Sequence, residues 1–186
     1  MSSRIDRNRT VVVVVDMQER LLAAMPEARR SAITKSACTL VEGARLLGLS
    51  IVATEQYSKG LGPTVDPLRD ALVSAGVTPI EKLDFSALDE VAVRTELERI
   101  DAKRAIVVGM ETHVCVFQTV RDLIGNGLKV HVLEDAVASR TEDNREIGLR
   151  LCEREGAVRS SVEAVLFDAL RRAEGDLFKA ISKLVR

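Results

Sequence analysis

Three reactive side chains stand just past apolar runs of the chain. Asp16 follows the five valines 11–15, Lys82 follows the segment 77–81, and Cys115 follows the run 105–109 within the motif METHVCV. Together they can perform nucleophilic catalysis, because a thiolate attacks a carbonyl carbon while a carboxylate takes up its proton and later activates water. A neighbouring ammonium and the start of a helix are both expected to favour the thiolate.

Each of these residues also has an ordinary explanation when it is taken alone. An aspartate after a strand often caps a turn, and a lysine after an edge strand is usually solvated. A cysteine is usually a small buried apolar residue, which is our interpretation of Cys38 and Cys152. The prediction of an active site therefore depends on all three side chains meeting at one place.

Alternating strands and helices would bring them together. Apolar, β-branched runs predict six strands, and segments of helical period lie between them, so the pattern is typical of a parallel sheet covered on both faces. We expect an α/β fold with three layers, α-β-α, and a six-stranded parallel sheet, whose ligands bind beyond the carboxyl ends of the strands. The predicted strands are 10–15, 50–54, 77–81, 105–109, 129–133 and 157–161, and the predicted helices are 27–48, 89–100, 112–125 and 141–155.

Composition narrows the class of protein further. The chain has 186 residues, of which 46% are hydrophobic and 30% charged, and this size and balance predict one globular domain over residues 1–186. The net charge of −1 offers no attraction to nucleic acid or to anionic lipid, and no apolar run approaches the ~20 residues that span a bilayer. Three cysteines and no apolar leader favour reduced thiols and a cytoplasmic location.

The tail of the chain has a helical pattern of its own. Leu177, Phe178, Ile181, Leu184 and Val185 fall on one face of a helix over about 176–185. This helix either packs on its own core or lies at the interface of an oligomer, and apolar periodicity leaves both interpretations open.

Three stretches resemble one known superfamily. The stretches VVVVVDMQ, EKLDFSAL and GMETHVCVFQTVRDLIGNGLKVHVLEDAVASR are similar to the isochorismatase-like cysteine hydrolases, which include nicotinamidases and N-carbamoylsarcosine amidohydrolase. The resemblance covers almost the whole chain and implies a catalytic triad of Asp16, Lys82 and Cys115. It also implies a cis peptide between Met110 and Glu111, an oxyanion hole made by the N–H groups of Glu111 and Cys115, and a homo-oligomer.

The chain departs from the nicotinamidase pattern at its metal site. Nicotinamidases carry Asp-x-His after the second strand, where this chain has Glu55, Gln56 and Tyr57. His113 and His131 are the only histidines, too few for such a site. The sequence therefore predicts no metal and no cofactor, and the stretch resembles the small isochorismatase-domain hydrolases instead.

Four further residues are candidates for the substrate pocket, and each has an alternative. Gln18 either lines the pocket or begins the next segment, and Phe85 is either a pocket wall or a core aromatic. Gln56 and Tyr57 follow the second strand, at the rim where ligands are expected. His113, two residues before the cysteine, is interpreted as a structural hydrogen-bonding residue.

The sequence predicts hydrolysis of a small amide or carbamoyl-type substrate through a cysteine thioester. Two alternatives stay open. One is hydrolysis of an isochorismate-like vinyl ether led by Asp16, which would not need Cys115. The other is a non-catalytic oligomeric protein in which Cys115 senses oxidants or serves a binding role.

Overall fold

A computed structural model describes residues 4–186. Its centre is a six-stranded, all-parallel sheet with the strand order β3-β2-β1-β4-β5-β6. The strands are β1 Thr10–Val15, β2 Ser50–Gln56, β3 Ile80–Lys82, β4 Arg104–Met110, β5 Lys129–Ala138 and β6 Val158–Ser160. Helices cover both faces, so the predicted three-layer α/β fold is confirmed.

Nine α-helices connect and cover the strands in the described part of the chain. They are α1 Glu19–Ala24, α2 Glu27–Leu47, α3 Ser58–Leu61, α4 Leu68–Ser74, α5 Val91–Arg99, α6 Phe117–Gly125, α7 Glu142–Glu155, α8 Val162–Leu170 and α9 Gly175–Leu184. The predicted helices correspond to α2, α5, α6 with the turn before it, and α7. Within residues 4–186, no helix is long and apolar enough to cross a bilayer.

The valine strand β1 explains why the core has two halves. Successive side chains of a strand point to opposite faces of the sheet. Val12 and Val14 therefore pack in the core under α2 and α8, while Val11, Val13 and Val15 pack in the core under α5, α6 and α7. Every residue of β1 is buried, as expected for a central strand of a parallel sheet.

The third strand is shorter and later than predicted. It begins at Ile80, directly after Pro79, and pairs only with Thr54–Gln56 of β2. Proline has no N–H to donate to a ladder, which accounts for the late start of this edge strand. As a result Lys82 is the last residue of β3 instead of the first residue after it.

The tail helix α9 packs on its own chain. Ile181 is fully buried, and the rings of Phe178 and Phe167 lie 6.5 Å apart between centroids. Leu177 and Val185 also pack against the core under α2 and α8. These contacts support the first of the two interpretations of the apolar tail.

Candidate active site

The strand order reverses next to β1, and the predicted nucleophile and base lie on either side of that point. The chain runs outward from β1 through β2 to β3, and then returns to place β4 on the other side of β1. Asp16 follows β1 and Cys115 follows β4, so both stand at the switch point where ligands bind in open parallel sheets. Lys82 reaches them from the edge strand β3.

Asp16, Lys82 and Cys115 are brought together at this rim. The Lys82 Nζ atom lies 2.7 Å from Asp16 Oδ2, and neither side chain is exposed to solvent. The buried Cys115 thiol is close enough to this pair for the charges of both Asp16 and Lys82 to act on it. A buried ion pair thus faces a buried thiol, which is an arrangement that can move a proton from sulfur to oxygen.

The backbone at Asp16 is unusual for an aspartate. Its φ angle is 49°, in the left-handed region, and its N–H donates to the Thr54 carbonyl at 3.1 Å. The Thr54 hydroxyl donates to Asp16 Oδ1 at 2.7 Å. Thr54 therefore holds both the backbone and the side chain of Asp16, and Oδ2 is left to face Lys82.

The Lys82 ammonium is surrounded by oxygen atoms. Besides its ion pair with Asp16, it donates hydrogen bonds to Gln56 Oε1 at 2.6 Å and to the carbonyls of Asp84 and Phe85, each at 3.1 Å. Burying an ammonium is costly unless it is paired and hydrogen-bonded, and these contacts meet that requirement. Lys82 is therefore not a solvated surface lysine, which was the ordinary alternative for this residue.

The electrostatics of the thiol differ from the sequence-based expectation. Burial, and to a smaller extent the charge of the Asp16 carboxylate, raise the pKa of Cys115 to about 12, although the charge of Lys82 opposes them. Burial also raises the pKa of Asp16, opposed by the charge of Lys82. Desolvation and the carboxylate thus outweigh the ammonium that was expected to favour the thiolate, and the neutral thiol is the favoured form of Cys115 at pH 7.

Cys115 lies in a π-helical turn, Thr112–Val116, that precedes α6. The peptide between Met110 and Glu111 is cis, which is the geometry that the resemblance implies. The backbone of Glu111 lowers the pKa of the Cys115 thiol, against the larger effect of burial.

Two contacts hold the turn Thr112–Val116 in place. A methyl group added at Gly148 of α7 would lie 2.6 Å from the His113 nitrogen and from the Thr112 carbonyl carbon, so only glycine allows this approach. The His113 ring nitrogen Nδ1 lies 3.0 Å from the Ser139 hydroxyl, which supports its interpretation as a structural residue.

Glu111 is also fixed through its side chain. Its Oε1 atom accepts from the backbone N–H of Arg140 at 3.1 Å and from Arg140 Nε at 3.0 Å. This connects the segment after β4 to the segment after β5, where Ser139 also lies.

The four predicted pocket residues have different positions. Gln18 is fully buried, and its amide is bonded to the backbone of Gln56 and Gly62, so it holds the rim instead of lining a pocket. Gln56 contacts Lys82 and the Leu83 carbonyl. Tyr57 and Phe85 are half exposed, so Phe85 is not a core aromatic. For these two aromatic residues a substrate contact stays a prediction.

Three residues that position the site were not predicted from the sequence. Thr54 ends the second predicted strand, where a hydroxyl in an apolar run is the available signal. Ser139 stands in the quoted stretch DAVASR without a role assigned to it. Gly148 has no local signal, because a glycine inside a helix reveals its purpose only when its neighbour is known.

The two histidines lie in different parts of the molecule. His113 is beside Ser139 in the turn that carries Cys115, whereas His131 is in β5 with its Nε2 atom 3.3 Å from Arg104 Nη1. Where nicotinamidases carry their Asp-x-His, Gln56 contacts Lys82.

Comparison with known sequences identifies the family. A model described as "Isochorismatase domain" matches residues 10–164. The secreted isochorismatase effector Isc1 of Phytophthora sojae is 39% identical over 150 residues, covering 80% of this chain and 71% of that protein. Isochorismatase domain-containing protein 2 of Danio rerio is 32% identical over 183 residues, covering 98% and 89%.

Comparison with solved structures agrees with the sequence matches. The structure of MAR1 ribonuclease from Caenorhabditis elegans superposes with a TM-score of 0.91 at 32% sequence identity, covering 98% of this chain and 92% of that one. The sequence model, the relatives and this superposition show that the chain belongs to the isochorismatase family of hydrolases.

Proposed function

We propose that the protein hydrolyses a small amide or carbamoyl-type substrate by way of a thioester on Cys115. The single observation that supports this most strongly is the buried Cys115 thiol standing beside the buried ion pair of Asp16 and Lys82, whose charged atoms lie 2.7 Å apart. Ether hydrolysis led by Asp16 requires no thiol in that place. A narrow carbonyl group is favoured as the reacting end of the substrate, because Cys115 is only 6% exposed.

The first half of the reaction forms the thioester. The Cys115 sulfur attacks the carbonyl carbon while its proton passes to Asp16, and the carbonyl oxygen becomes an oxyanion that the N–H groups of Glu111 and Cys115 bind. The tetrahedral intermediate collapses, the C–N bond breaks, and the leaving amine takes the proton from Asp16. Lys82 stabilises Asp16 as a carboxylate before the first of these proton transfers and after the second.

The second half releases the product. Asp16, again a carboxylate, accepts a proton from water as the water oxygen attacks the thioester carbon. The C–S bond then breaks, and the departing sulfur regains its proton from Asp16. The free enzyme is restored with a neutral thiol, which agrees with the raised pKa of Cys115.

A substrate panel with mass detection tests the proposal. Primary amides, N-carbamoyl amines and cyclic imides are incubated with the protein, and ammonia or amine release is measured. Intact mass after an acid quench detects an acyl adduct, and peptide mapping locates it. We expect an adduct on Cys115 with at least one class, and no turnover by the folded variants Cys115→Ala and Cys115→Ser.

Other outcomes would overturn the proposal in recognisable ways. Isochorismate is included in the panel, and undiminished hydrolysis of this vinyl ether by Cys115→Ala would establish the chemistry led by Asp16. A synthetic RNA is included because the Caenorhabditis elegans protein is called a ribonuclease. No hydrolysis at all, together with reversible oxidation of Cys115 by peroxide, would establish the thiol sensor.

The proposal includes a homo-oligomer in the cytoplasm. Tyr57 and Leu83 are exposed and line one recess beside Lys82, and the exposed side chains of Phe85 and Val91 follow in the same stretch of chain. Apolar side chains grouped on a surface are typical of protein interfaces. Sedimentation at micromolar concentration should give a mass that is a multiple of 20.3 kDa, and a single 20.3 kDa species would contradict this part of the proposal.

A further inference from the structure

The side-chain amide of Gln56 lies between the catalytic ammonium and a backbone carbonyl. Its Oε1 atom accepts from Lys82 Nζ at 2.6 Å, and its Nε2 atom donates to the Leu83 carbonyl at 2.6 Å. The amide can adopt only this orientation, because the reverse would set N–H against ammonium and oxygen against oxygen. Gln56 is therefore bonded at both ends of its amide, by one of its two N–H groups and by its oxygen.

The backbone of Gln56 is held as firmly as its side chain. Its N–H donates to Gln18 Oε1 at 2.7 Å, and its carbonyl accepts from Gln18 Nε2 at 3.0 Å. The same Nε2 atom donates to the Gly62 carbonyl at 2.7 Å. Gln18 is fully buried and follows Asp16 by two residues. It therefore connects the segment that carries Asp16 to Gln56, the residue that contacts Lys82.

We propose that Gln56 is a positioning residue that aims the Lys82 ammonium at Asp16 and keeps this contact free of a second negative charge. The inference rests on the proposed function, since it concerns the same triad. It gives Gln56 a role beyond the predicted lining of the substrate pocket.

Charge is the reason that an amide is needed in this place. The ammonium has three hydrogens and four oxygen neighbours, on Asp16, Gln56, Asp84 and Phe85, and only the oxygen of Asp16 carries a charge. A carboxylate at position 56 would bind the ammonium equally well, but it would compete with Asp16 for it. It would also bring a second negative charge close to the thiol and an oxygen against the Leu83 carbonyl.

Alkylation of Cys115 measures this effect without a known substrate. The rate of modification by iodoacetamide is followed by peptide mass spectrometry from pH 6 to 10 in the wild type, Gln56→Glu, Gln56→Met and Asp16→Asn. We expect the Gln56→Glu profile to move to higher pH by about one unit, which is a tenfold lower rate on the rising limb. Gln56→Met removes both hydrogen bonds but adds no charge, so its profile should move by less than half as much.

The two variants also separate positioning from a purely structural role. A structural role predicts equal displacement of the profile in both, or displacement that follows the loss in melting temperature, and either result would overturn the inference. If Asp16→Asn leaves the wild-type profile unchanged, the proposed function fails instead, because Asp16 then does not act on the thiol. If Asp16→Asn changes the profile and Gln56→Glu does not, only the role of Gln56 is overturned.

Discussion

The Asp16 carboxylate and the Lys82 ammonium form an ion pair of 2.7 Å between two side chains that solvent does not reach. Such a pair contributes little net stability, because the desolvation of both charges offsets their attraction. Removing one partner is different, since it leaves a single charge in the interior. Each charge therefore needs the other, and removal of either one should lower the free energy of unfolding by a measurable amount.

Replacing Lys82 should destabilise the protein in a pH-dependent manner. Lys82→Met keeps the length of the stem and leaves Asp16 unpaired, so we expect a loss of about 3–5 kcal/mol in the free energy of unfolding at pH 7. Lys82 lowers the pKa of Asp16, so without it that pKa rises and the carboxyl takes up a proton as the pH falls. The loss should therefore shrink toward pH 5.

Urea unfolding at pH 7 and pH 5 measures this difference. The matched control is the double variant Asp16→Asn with Lys82→Met, which has neither charge and should regain most of the lost stability at pH 7. A single variant whose loss is below about 1 kcal/mol, in the range of exposed ion pairs, would contradict the burial of the pair.

The raised pKa of the Cys115 thiol predicts a distinctive pH profile for the reaction. Because burial and Asp16 raise the pKa of Cys115 to about 12, kcat/KM with a substrate from the panel should stay level between pH 7 and 9. It should fall on the acid side as Asp16 is protonated, at a pH above 3.8, because burial raises the pKa of that carboxyl. A rise centred on pH 8–9, where an ordinary thiol ionises, would contradict the coupled proton transfer.

Thr54 should tune the acid limb of that profile. Its hydroxyl donates to Asp16 Oδ1 and lowers the pKa of the carboxyl, so Thr54→Val should raise this pKa and move the acid limb to higher pH. The unpaired buried oxygen should also cost about 1–3 kcal/mol of stability. Thr54→Ser keeps the hydroxyl and serves as the control. Equal acid limbs in the two variants would show that the hydrogen bond does not affect the base.

Gly148 should be needed for the position of Cys115. In Gly148→Ala the new methyl group would lie 2.6 Å from the backbone at Thr112 and His113, so the turn that carries the cysteine must move. We expect at least a tenfold loss of kcat and about 1–3 kcal/mol of destabilisation, as for other overpacked sites.

Gly125 provides a control with the same chemical change. It is exposed in α6, and a methyl group there meets no atom within 4 Å. Gly125→Ala should keep full activity and gain about 0.5–1 kcal/mol, because alanine favours the helix. Full activity in Gly148→Ala, with the same panel substrate, would show that the contact between α7 and the turn does not position the nucleophile.

Local patterns were enough to predict most of the architecture. The valines of β1 and the helical period of α2 and α7 depend on interactions within a few residues, and burial then follows from the period of each element. The third strand was predicted over 77–81 but begins at Ile80, because pairing with β2 is a contact between distant segments. The same limit applies to α1, α3, α4 and α8, for which the sequence analysis made no prediction.

The sequence by itself determined which reactive residues the protein has and that parallel strands would carry them to one rim. Only the tertiary structure decided the protonation states and the contacts of these residues. The direction of the pKa shift of Cys115 depends on how completely solvent is excluded and on the distance to Asp16, and neither is encoded in the spacing of residues. Gln56 likewise follows a strand in the sequence, and its contact with Lys82 exists because β2 and β3 pair at Gln56 and Lys82. Desolvation and charge act through space, so the chemistry of the site was settled by packing.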